Sequence, residues 1–338
     1  MFEKLDKSRC YIVAEIGGNF TTYEQARNLI DAAKFAHVDA IKLQTYRAET
    51  ISSKTAMYNM ENTGVASQFD LFKKYEIDKE LHKKVFDYAQ AKNLDWFSTP
   101  SHPEDVEMLH SLGVSCYKTG ADDATNLPFL KYIARKGLPI ILSTGMSTLK
   151  EVEEAVNAIE EEGNNKIVIL HTVSGYPTYP ENVNLNNILT LKSRFSHYHI
   201  GYSDHTLTTT AVIAAATMGA IVIERHFTID KNAEGPDHML SSTPEEMKYI
   251  VDTIRTIETM KGSYIKMPFG PEVNNRKNNR KSIVAIRPIK KGETLTESNI
   301  YLKRPGTGIK PKFYEDIIGR IARHDIEEDK VLSRRDFE

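Results

Sequence analysis

Eight short apolar runs that alternate with amphipathic helical patterns constrain the fold of this chain more than any other feature. The runs have the length and β-branched content of buried strands, and they cover residues 11–16, 40–44, 94–98, 116–118, 139–144, 166–171, 198–203 and 220–224. Eight strand–helix units within about 260 residues are typical of an α/β fold of the (β/α)8 TIM-barrel type. A doubly wound sheet is the alternative, but it rarely sustains eight uninterrupted repeats. We therefore expect a TIM barrel.

The composition excludes several classes of partner. A formal net charge of −2 gives no general attraction to nucleic acid or to an anionic membrane. The two cysteines, Cys10 and Cys116, have no metal-type spacing and indicate a reduced protein. No run approaches the ~20 apolar residues of a membrane span, and the first residues are polar and charged, unlike a secretory signal. We expect a cytoplasmic protein.

The pattern changes near residue 262, which predicts a domain boundary. We assign residues 1–262 to the barrel, 263–280 to a polar linker and 281–338 to a small module with two short strands. A module of this size is marginal on its own, so we expect it to pack against the barrel or a second subunit. The long insertion 46–75 predicts a lid or a substrate-binding loop, with contact to a partner subunit as the alternative.

Polar side chains follow every predicted strand, and parallel strands bring them to one end of a barrel. Lys42 and Lys118, together with several hydroxyl groups, predict a site for phosphate or carboxylate. His205 and His226 follow neighbouring strands and, with Glu15 nearby, predict a divalent metal site. A site for an anion beside a Lewis-acid metal indicates that the two substrates are phosphoenolpyruvate and an aldehyde. Singly, each residue has a structural alternative: a buried ion pair, a helix cap or a core hydrogen bond.

Nine ordered motifs resemble those of one family, the N-acetylneuraminate (sialic acid) synthases, which includes legionaminic and pseudaminic acid synthases. The motifs are Ala14-Glu15-Ile16-Gly17, Ile41-Lys42-Leu43-Gln44, Ser98-Thr99-Pro100, Tyr117-Lys118, Ile141-Leu142-Ser143-Thr144-Gly145-Met146, Gly201-Tyr202-Ser203-Asp204-His205-Thr206, Ile223-Glu224-Arg225-His226-Phe227-Thr228, Gly235-Pro236-Asp237 and Lys303-Arg304-Pro305-Gly306. The resemblance implies condensation of phosphoenolpyruvate with an N-acylated hexosamine to give a nonulosonic acid and phosphate. The implied acceptor is N-acetylmannosamine or a 2,4-diacetamido-2,4,6-trideoxyhexose.

The resemblance also implies roles for individual residues. His205 and His226 are similar to the protein ligands of a divalent metal ion, for which we expect Mn²⁺, with Mg²⁺ and Co²⁺ as alternatives. The implied phosphoenolpyruvate-binding residues are Lys42, Thr99, Lys118, Ser143 and Ser203. The implied sugar-binding residues are Gln44, Tyr176, Asp237 and Arg304. The implied catalytic residues are Glu15, Lys118 and Asp123.

The C-terminal module resembles an antifreeze-like (SAF) domain of the β-clip type. In the family, this domain reaches over the barrel of a second subunit, so the resemblance implies a domain-swapped homodimer. Arg304 is similar to the arginine that contacts the N-acyl group of the sugar there.

Several positions depart from the family pattern. Gly120-Ala121-Asp122-Asp123 stands where the family has a small residue, Ser, Gly and Glu. Ala121 therefore lacks a hydroxyl, and Asp123 carries a shorter carboxylate, with Asp122 as a second carboxylate beside it. Phe20, Ser101 and Ser174 also replace usual residues, which favours a legionaminic- or pseudaminic-type product over loss of activity.

Three other functions compete with this interpretation. A Schiff-base aldolase would use Lys118 or Lys42 as its nucleophile. A sugar-phosphate synthase would need a further basic site for the second phosphate, and no such cluster stands at the strand ends. A catalytically impaired barrel that only binds sugar would explain Ala121 and Asp123.

Overall fold

Eight parallel strands close into a barrel, so the prediction of a TIM barrel is confirmed. The computed structural model describes residues 2–6, 8–61 and 63–338. The strands of the N-terminal unit, which ends at Gly262, are β1 (Tyr11–Glu15), β2 (Ala40–Thr45), β3 (Met57–Met60), β4 (Gly64–Ser67), β5 (Asp95–Pro100), β6 (Tyr117–Thr119), β7 (Ile140–Ser143), β8 (Ile167–Thr172), β9 (His199–Asp204) and β10 (Val222–His226). The barrel strands follow one another in the order β1-β10-β9-β8-β7-β6-β5-β2.

Helices follow the barrel strands and pack around them. They are α1 (Tyr23–Phe35), α2 (Ala48–Ile51), α3 (Gln68–Tyr75), α4 (Lys79–Ala91), α5 (Pro103–Ser111), α6 (Leu127–Ala134), α7 (Leu149–Glu160), α8 (Asn186–Arg194), α9 (Thr210–Thr217) and α10 (Pro244–Lys261). Thr22, Thr148 and Thr243 form capping boxes that begin α1, α7 and α10. Among the described residues, no helix is long and apolar enough to cross a membrane.

Alternate residues of each strand face the barrel interior, and this alternation determines which side chains can reach its mouth. In β1, Tyr11 and Val13 belong to the inner apolar cluster, whereas Ile12 and Ala14 pack toward the helices. The same alternation directs Glu15, the last residue of β1, into the barrel. The lower interior is therefore apolar, and polar side chains are confined to the C-terminal end of the strands.

The insertion between β2 and α4 contains regular structure, although its sequence shows no clear periodicity. It consists of α2, the antiparallel hairpin β3–β4 and α3. The rings of Tyr46 and Phe72 make an edge contact with centroids 4.9 Å apart. On the far side of the barrel mouth, the Tyr179 hydroxyl donates to the Glu61 carboxylate at the hairpin turn, with O···O distances of 2.8 and 2.9 Å. The hairpin thus spans the mouth, as a lid would.

The second compact unit is Ser263–Glu338. It contains α11 (Pro271–Asn279), the antiparallel strands β11 (Ser282–Ala285) and β12 (Ile300–Lys303), and α12 (Tyr314–Ile317). Its own apolar core consists of Ile283, Ala285, Ile289, Leu295, Ile300, Ile317, Ala322, Ile326 and Leu332. The segment 263–280, which we predicted as a linker, therefore differs from that prediction in carrying α11. Polar composition did not reveal this helix because none of its residues is buried.

Candidate active site

A cavity of about 420 Å³ lies at the C-terminal ends of the barrel strands, and every strand contributes to its lining. The strand residues that line it are Glu15, Lys42, Gln44, Thr99, Lys118, Ser143, Thr172, Ser203, Glu224 and His226. All five residues predicted to bind phosphoenolpyruvate are among them. Further lining comes from the insertion, including Tyr46, Tyr58 and Phe72. The prediction gave the insertion a lid or substrate-binding role but assigned no role to these aromatic residues individually.

Two lysines and two glutamates form a charge cluster at the base of this cavity. Lys42 forms an ion pair with Glu15, and its Nζ lies 3.7 Å from Oε1 of Glu224. Nζ of Lys118 lies 3.6 Å from the same oxygen. Lys42 also donates to Oγ1 of Thr99 at 3.0 Å. The cluster therefore offers two cations, each already close to a carboxylate, to an incoming anion.

Burial and charge pairing set the protonation of this cluster. Burial raises the pKa of Glu15 to about 7, and Lys42 only partly offsets this effect. Burial also opposes ionisation of Glu224, but Lys118 and Lys42 outweigh it and lower the pKa of that carboxyl. Burial lowers the pKa of Lys118 despite the attraction of Glu224. Glu15 is thus the carboxyl of the cluster that takes up a proton most readily near neutral pH.

Glu224 had no role in the prediction, although the sequence contained the signal. It lies two residues before His226 in β10, so strand alternation places both side chains on the inner face. Its carboxylate also accepts a hydrogen bond from the Ser203 hydroxyl at 3.2 Å. The carboxylate of Glu224 therefore lies close to two of the predicted anion-binding residues, Lys118 and Ser203.

The two histidines emerge side by side, with ring centroids 5.4 Å apart. Burial lowers the pKa of His205. Burial also lowers the pKa of His226, and the neighbouring His205 adds to this effect, so that the pKa of His226 lies well below its usual value. Nδ1 of His205 lies 2.7 Å from the carbonyl oxygen of Val173 and donates to it, which leaves the Nε2 lone pair available. Nδ1 of His226 is buried and has no hydrogen-bond partner in the described part of the chain.

Neutral imidazoles with available lone pairs fit a divalent transition metal. Among residues 2–6, 8–61 and 63–338, no group of three or more His, Cys, Asp or Glu residues is arranged to hold a metal ion. His205 and His226 are thus the pair of imidazoles that the cavity offers to such an ion.

The predicted sugar-binding residues of the barrel line the same cavity. The ring centroids of Tyr176 and His205 are 4.2 Å apart. Oδ2 of Asp237 lies 3.6 Å from Nδ1 of His226, and burial raises the pKa of Asp237 to about 7. Gln44 lines the cavity as well. Arg304 belongs to the second unit, where it follows β12 and is exposed; its contact with a sugar stays a prediction.

The structure places Asp123 differently from our prediction. Asp123 is buried in a 3₁₀ turn, Asp122–Thr125, and its Oδ1 accepts a hydrogen bond from the Asn126 amide at 2.9 Å. It is absent from the described lining of the cavity, whereas its exposed neighbour Asp122 lines it. The turn rotates consecutive residues to different sides, and strand alternation cannot predict that rotation. Asp122 is therefore the better candidate for the catalytic carboxylate.

Comparisons with known proteins agree with this geometry. The NeuB family model matches residues 29–266, and the SAF domain model matches residues 280–338. An N,N'-diacetyllegionaminic acid synthase of Campylobacter jejuni is 39% identical over 95% of this chain and 98% of its own length. A pseudaminic acid synthase of the same species is 35% identical over 98% and 97% of the two chains.

A solved structure also matches. The N-acetylneuraminic acid synthetase of Leptospira borgpetersenii, crystallised with citrate, superimposes with a TM-score of 0.71 at 30% identity and covers 80% of this chain and 90% of its own. The chain therefore belongs to the NeuB family, the family of the N-acetylneuraminate (sialic acid) synthases, and carries a C-terminal SAF domain.

Proposed function

We propose that this protein condenses phosphoenolpyruvate with an N-acylated hexosamine and releases a nonulosonic acid and phosphate. The observation that carries the proposal is one cavity in which Lys42 and Lys118 lie at the base and the neutral pair His205 and His226 lies beside them. The names of the relatives support the class of product. A cavity of about 420 Å³ falls within the usual size of small-molecule sites.

The anionic substrate takes the place of the carboxylates around the two lysines. Lys42 and Lys118 neutralise its carboxylate and phosphate groups, and the hydroxyls of Thr99, Ser143 and Ser203 supply hydrogen bonds. Protonation of Glu15 would release Lys42 from its ion pair and make that cation available. The lysine ammonium groups are buried, so their charges act with little screening by water.

His205 and His226 would hold the divalent metal ion, for which Mn²⁺ is our first expectation and Mg²⁺ or Co²⁺ the alternatives. When bound, the ion supplies Lewis-acid polarisation of the acceptor aldehyde. Gln44, Tyr176 and Asp237 line the cavity around the histidine pair and orient the sugar that carries this aldehyde.

Carbon-3 of phosphoenolpyruvate forms a bond to the aldehyde carbon, and the aldehyde oxygen takes up a proton. Water adds to the cation left at carbon-2, and Asp122, a carboxylate on the cavity wall, accepts one proton of that water, which replaces the proton taken up by the aldehyde oxygen. The hydroxyl left at carbon-2 gives its proton to the departing phosphate as the carbon–oxygen bond breaks, which leaves the 2-keto acid.

The test is phosphate release from phosphoenolpyruvate by the purified protein, with the organic product identified by mass spectrometry. N-acetylmannosamine and a 2,4-diacetamido-2,4,6-trideoxyhexose are offered as acceptors. We expect one equivalent of phosphate for each nonulosonic acid formed. Absence of release with both acceptors, in a sample supplied with Mn²⁺, would contradict the proposal.

A Schiff-base aldolase is the second candidate, because burial lowers the pKa of Lys118 and a neutral lysine is a nucleophile. Its ammonium nevertheless lies 3.6 Å from Glu224, which opposes loss of the proton. Borohydride treatment in the presence of pyruvate separates the two functions. A covalent adduct at Lys118 or Lys42 would favour the aldolase, and its absence the condensation.

A further inference from the structure

Four tyrosines among the described residues line the cavity of the candidate active site, and they differ in whether their hydroxyls are already bound. The hydroxyl of Tyr75 donates to the carbonyl oxygen of Glu234 at 3.2 Å. In the described part of the chain, the hydroxyls of Tyr46, Tyr58 and Tyr176 have no hydrogen-bond partner. Tyr176 is already among the predicted sugar-binding residues, so Tyr46 and Tyr58 supply two phenols that the proposed function does not use.

The hydroxyls of Tyr46 and Tyr58 are accessible to a ligand. The fully buried side-chain atoms that lack a hydrogen-bond partner in residues 2–6, 8–61 and 63–338 are Oε2 of Glu15, Oδ1 of Asn19, Oγ1 of Thr172 and Nδ1 of His226. Neither phenol oxygen is among these atoms. Each phenol oxygen therefore retains accessible surface, and the ring that carries it lines the cavity.

Phe72 of α3 packs against both of the rings that carry these hydroxyls. The ring centroids of Tyr46 and Phe72 are 4.9 Å apart, those of Tyr58 and Phe72 are 6.1 Å apart, and both pairs make edge contacts. In β3, Tyr58 alternates with the exposed Met57 and Asn59, so its side chain faces the cavity. The two phenols are thus in place before a ligand binds, which reduces the entropic cost of binding.

The charges around the two phenols differ from those at the base of the cavity. Burial raises the pKa of Tyr58 to about 12, and the nearby carboxyl groups of Asp237 and Asp122 add to this effect. Burial also raises the pKa of Tyr46, and Asp237 again contributes. Both phenols therefore keep a proton to donate at neutral pH. The carboxyl groups beside them disfavour an anion, whereas the lysine ammonium groups at the base attract one.

We propose that Tyr46 and Tyr58 bind the acceptor sugar, each hydroxyl donating a hydrogen bond to an oxygen atom of the sugar. A neutral sugar presents hydroxyl and carbonyl oxygens that accept such bonds, and its C–H faces pack against aromatic rings. Phosphoenolpyruvate, by contrast, takes its charge to the lysines. The inference rests on the proposed function and adds to it two sugar-binding residues from the insertion between β2 and α4.

The test removes each hydroxyl and keeps its ring. Tyr46→Phe and Tyr58→Phe lose no hydrogen bond within the described part of the protein, so a merely structural role predicts unchanged kinetics and unchanged unfolding midpoints in urea. With an acceptor that the wild type turns over, we expect each variant to lower kcat/KM for that acceptor about three- to tenfold, the range of one neutral hydrogen bond. KM for phosphoenolpyruvate should change less than about twofold.

The matched control is Tyr249→Phe. Tyr249 is an exposed residue of α10 and lies outside the lining of the cavity. Its substitution also removes one phenol hydroxyl, and we expect it to leave kcat/KM for the acceptor and KM for phosphoenolpyruvate unchanged.

The outcomes separate this inference from the proposed function. In an enzyme that turns over an acceptor, wild-type kcat/KM in Tyr46→Phe or Tyr58→Phe overturns the role of that residue alone, as does a rise confined to KM for phosphoenolpyruvate. If neither N-acetylmannosamine nor the diacetamido sugar is turned over, the proposed function fails. Binding of both sugars to the protein supplied with Mn²⁺ is then measured by calorimetry. Weaker binding by the two variants than by Tyr249→Phe supports the inference, and equal or absent binding in all three overturns it.

Discussion

The side chains of Asp204 and Arg225 form an ion pair that is buried between β9 and β10, directly before the two histidines of the site. Both residues face away from the cavity because they alternate with the inward-facing Ser203 and Glu224. The Tyr202 hydroxyl donates to Asp204 at 2.8 Å, so the carboxylate is held from two sides. The pair thus fixes the two strand ends at which the imidazoles begin.

Removal of one member of this pair should destabilise the barrel strongly. Arg225 is 1% exposed and Asp204 is completely buried, so Arg225→Met leaves a carboxylate without its cation in the interior. Loss of one partner from a buried pair typically costs about 3–5 kcal/mol of the free energy of unfolding. Urea unfolding followed by the fluorescence of Trp96, the single tryptophan of the chain and a residue of β5, measures this change.

The control for Arg225→Met is Lys248→Met on the surface of α10. Lys248 forms an ion pair with Asp252 at 2.5 Å, four residues later on the same helix, and both side chains are at least one-third exposed. Such pairs contribute only about 0.3–0.5 kcal/mol. Equal unfolding midpoints for the two variants would show that the buried pair does not stabilise the strand ends.

Asp122 and Asp123 should differ in their effect on turnover. Asp122→Asn removes a carboxylate from the cavity wall, and we expect phosphate release to fall at least about a hundredfold, the usual contribution of a general base. Asp123→Asn keeps the volume and polarity of a buried side chain that hydrogen-bonds Asn126, so kcat should change less than about threefold. Steady-state kinetics of both variants decide the question, and the reverse order would restore Asp123 to the catalytic role.

Strand alternation explains how much of this site could be predicted. The sequence pattern identified the barrel and placed Glu15, Lys42, Lys118, His205 and His226 at one end of it, because a period of two residues determines the face of every strand residue. Prediction from strand alternation failed where the backbone leaves the strand. The turn that contains Asp122 and Asp123 rotates the two carboxylates apart, and no periodicity describes such a turn.

Contacts between distant segments were the second kind of feature beyond prediction. The hairpin β3–β4 meets Tyr179 through Glu61, and these residues are separated by more than a third of the chain. The contact between the rings of Tyr46 and Phe72 likewise depends on where α3 packs. Both features arise from tertiary packing, which local sequence patterns do not encode.

The buried His82 should make the stability of the barrel sensitive to acid. Nε2 of His82 lies 2.8 Å from Oγ1 of Thr45, Nδ1 lies 2.8 Å from the carbonyl oxygen of Asp78, and burial lowers the pKa of the ring. Below the ordinary histidine pKa of about 6.5, the unfolded chain binds a proton that the folded chain resists. Acidification therefore lowers the free energy of unfolding, by at most about 1.4 kcal/mol per pH unit from this group.

Comparison of the wild type with His82→Gln isolates the contribution of His82 to the pH dependence of stability, because the other buried histidines are present in both proteins. We expect the wild type to lose more unfolding free energy than the variant between pH 7.5 and pH 5.5. Urea unfolding at both pH values, followed by Trp96 fluorescence, provides the measurement. Parallel losses in the two proteins would show that His82 titrates equally in the folded and unfolded states.

Metal binding should depend on His226 and not on His171, although both residues are 5% exposed. His226 lines the cavity with an unpartnered Nδ1, whereas Nε2 of His171 already donates to the carbonyl oxygen of Val183 at 2.8 Å and faces away from the barrel interior. After dialysis against EDTA, we expect the wild type and His171→Gln to bind about one Mn²⁺ per chain and His226→Gln to bind it at least about tenfold more weakly. Equilibrium dialysis with metal analysis measures binding without reference to turnover. Wild-type affinity for Mn²⁺ in His226→Gln would place the metal elsewhere. In the wild type, phosphate release should disappear on chelation and return when Mn²⁺ or Co²⁺ is added.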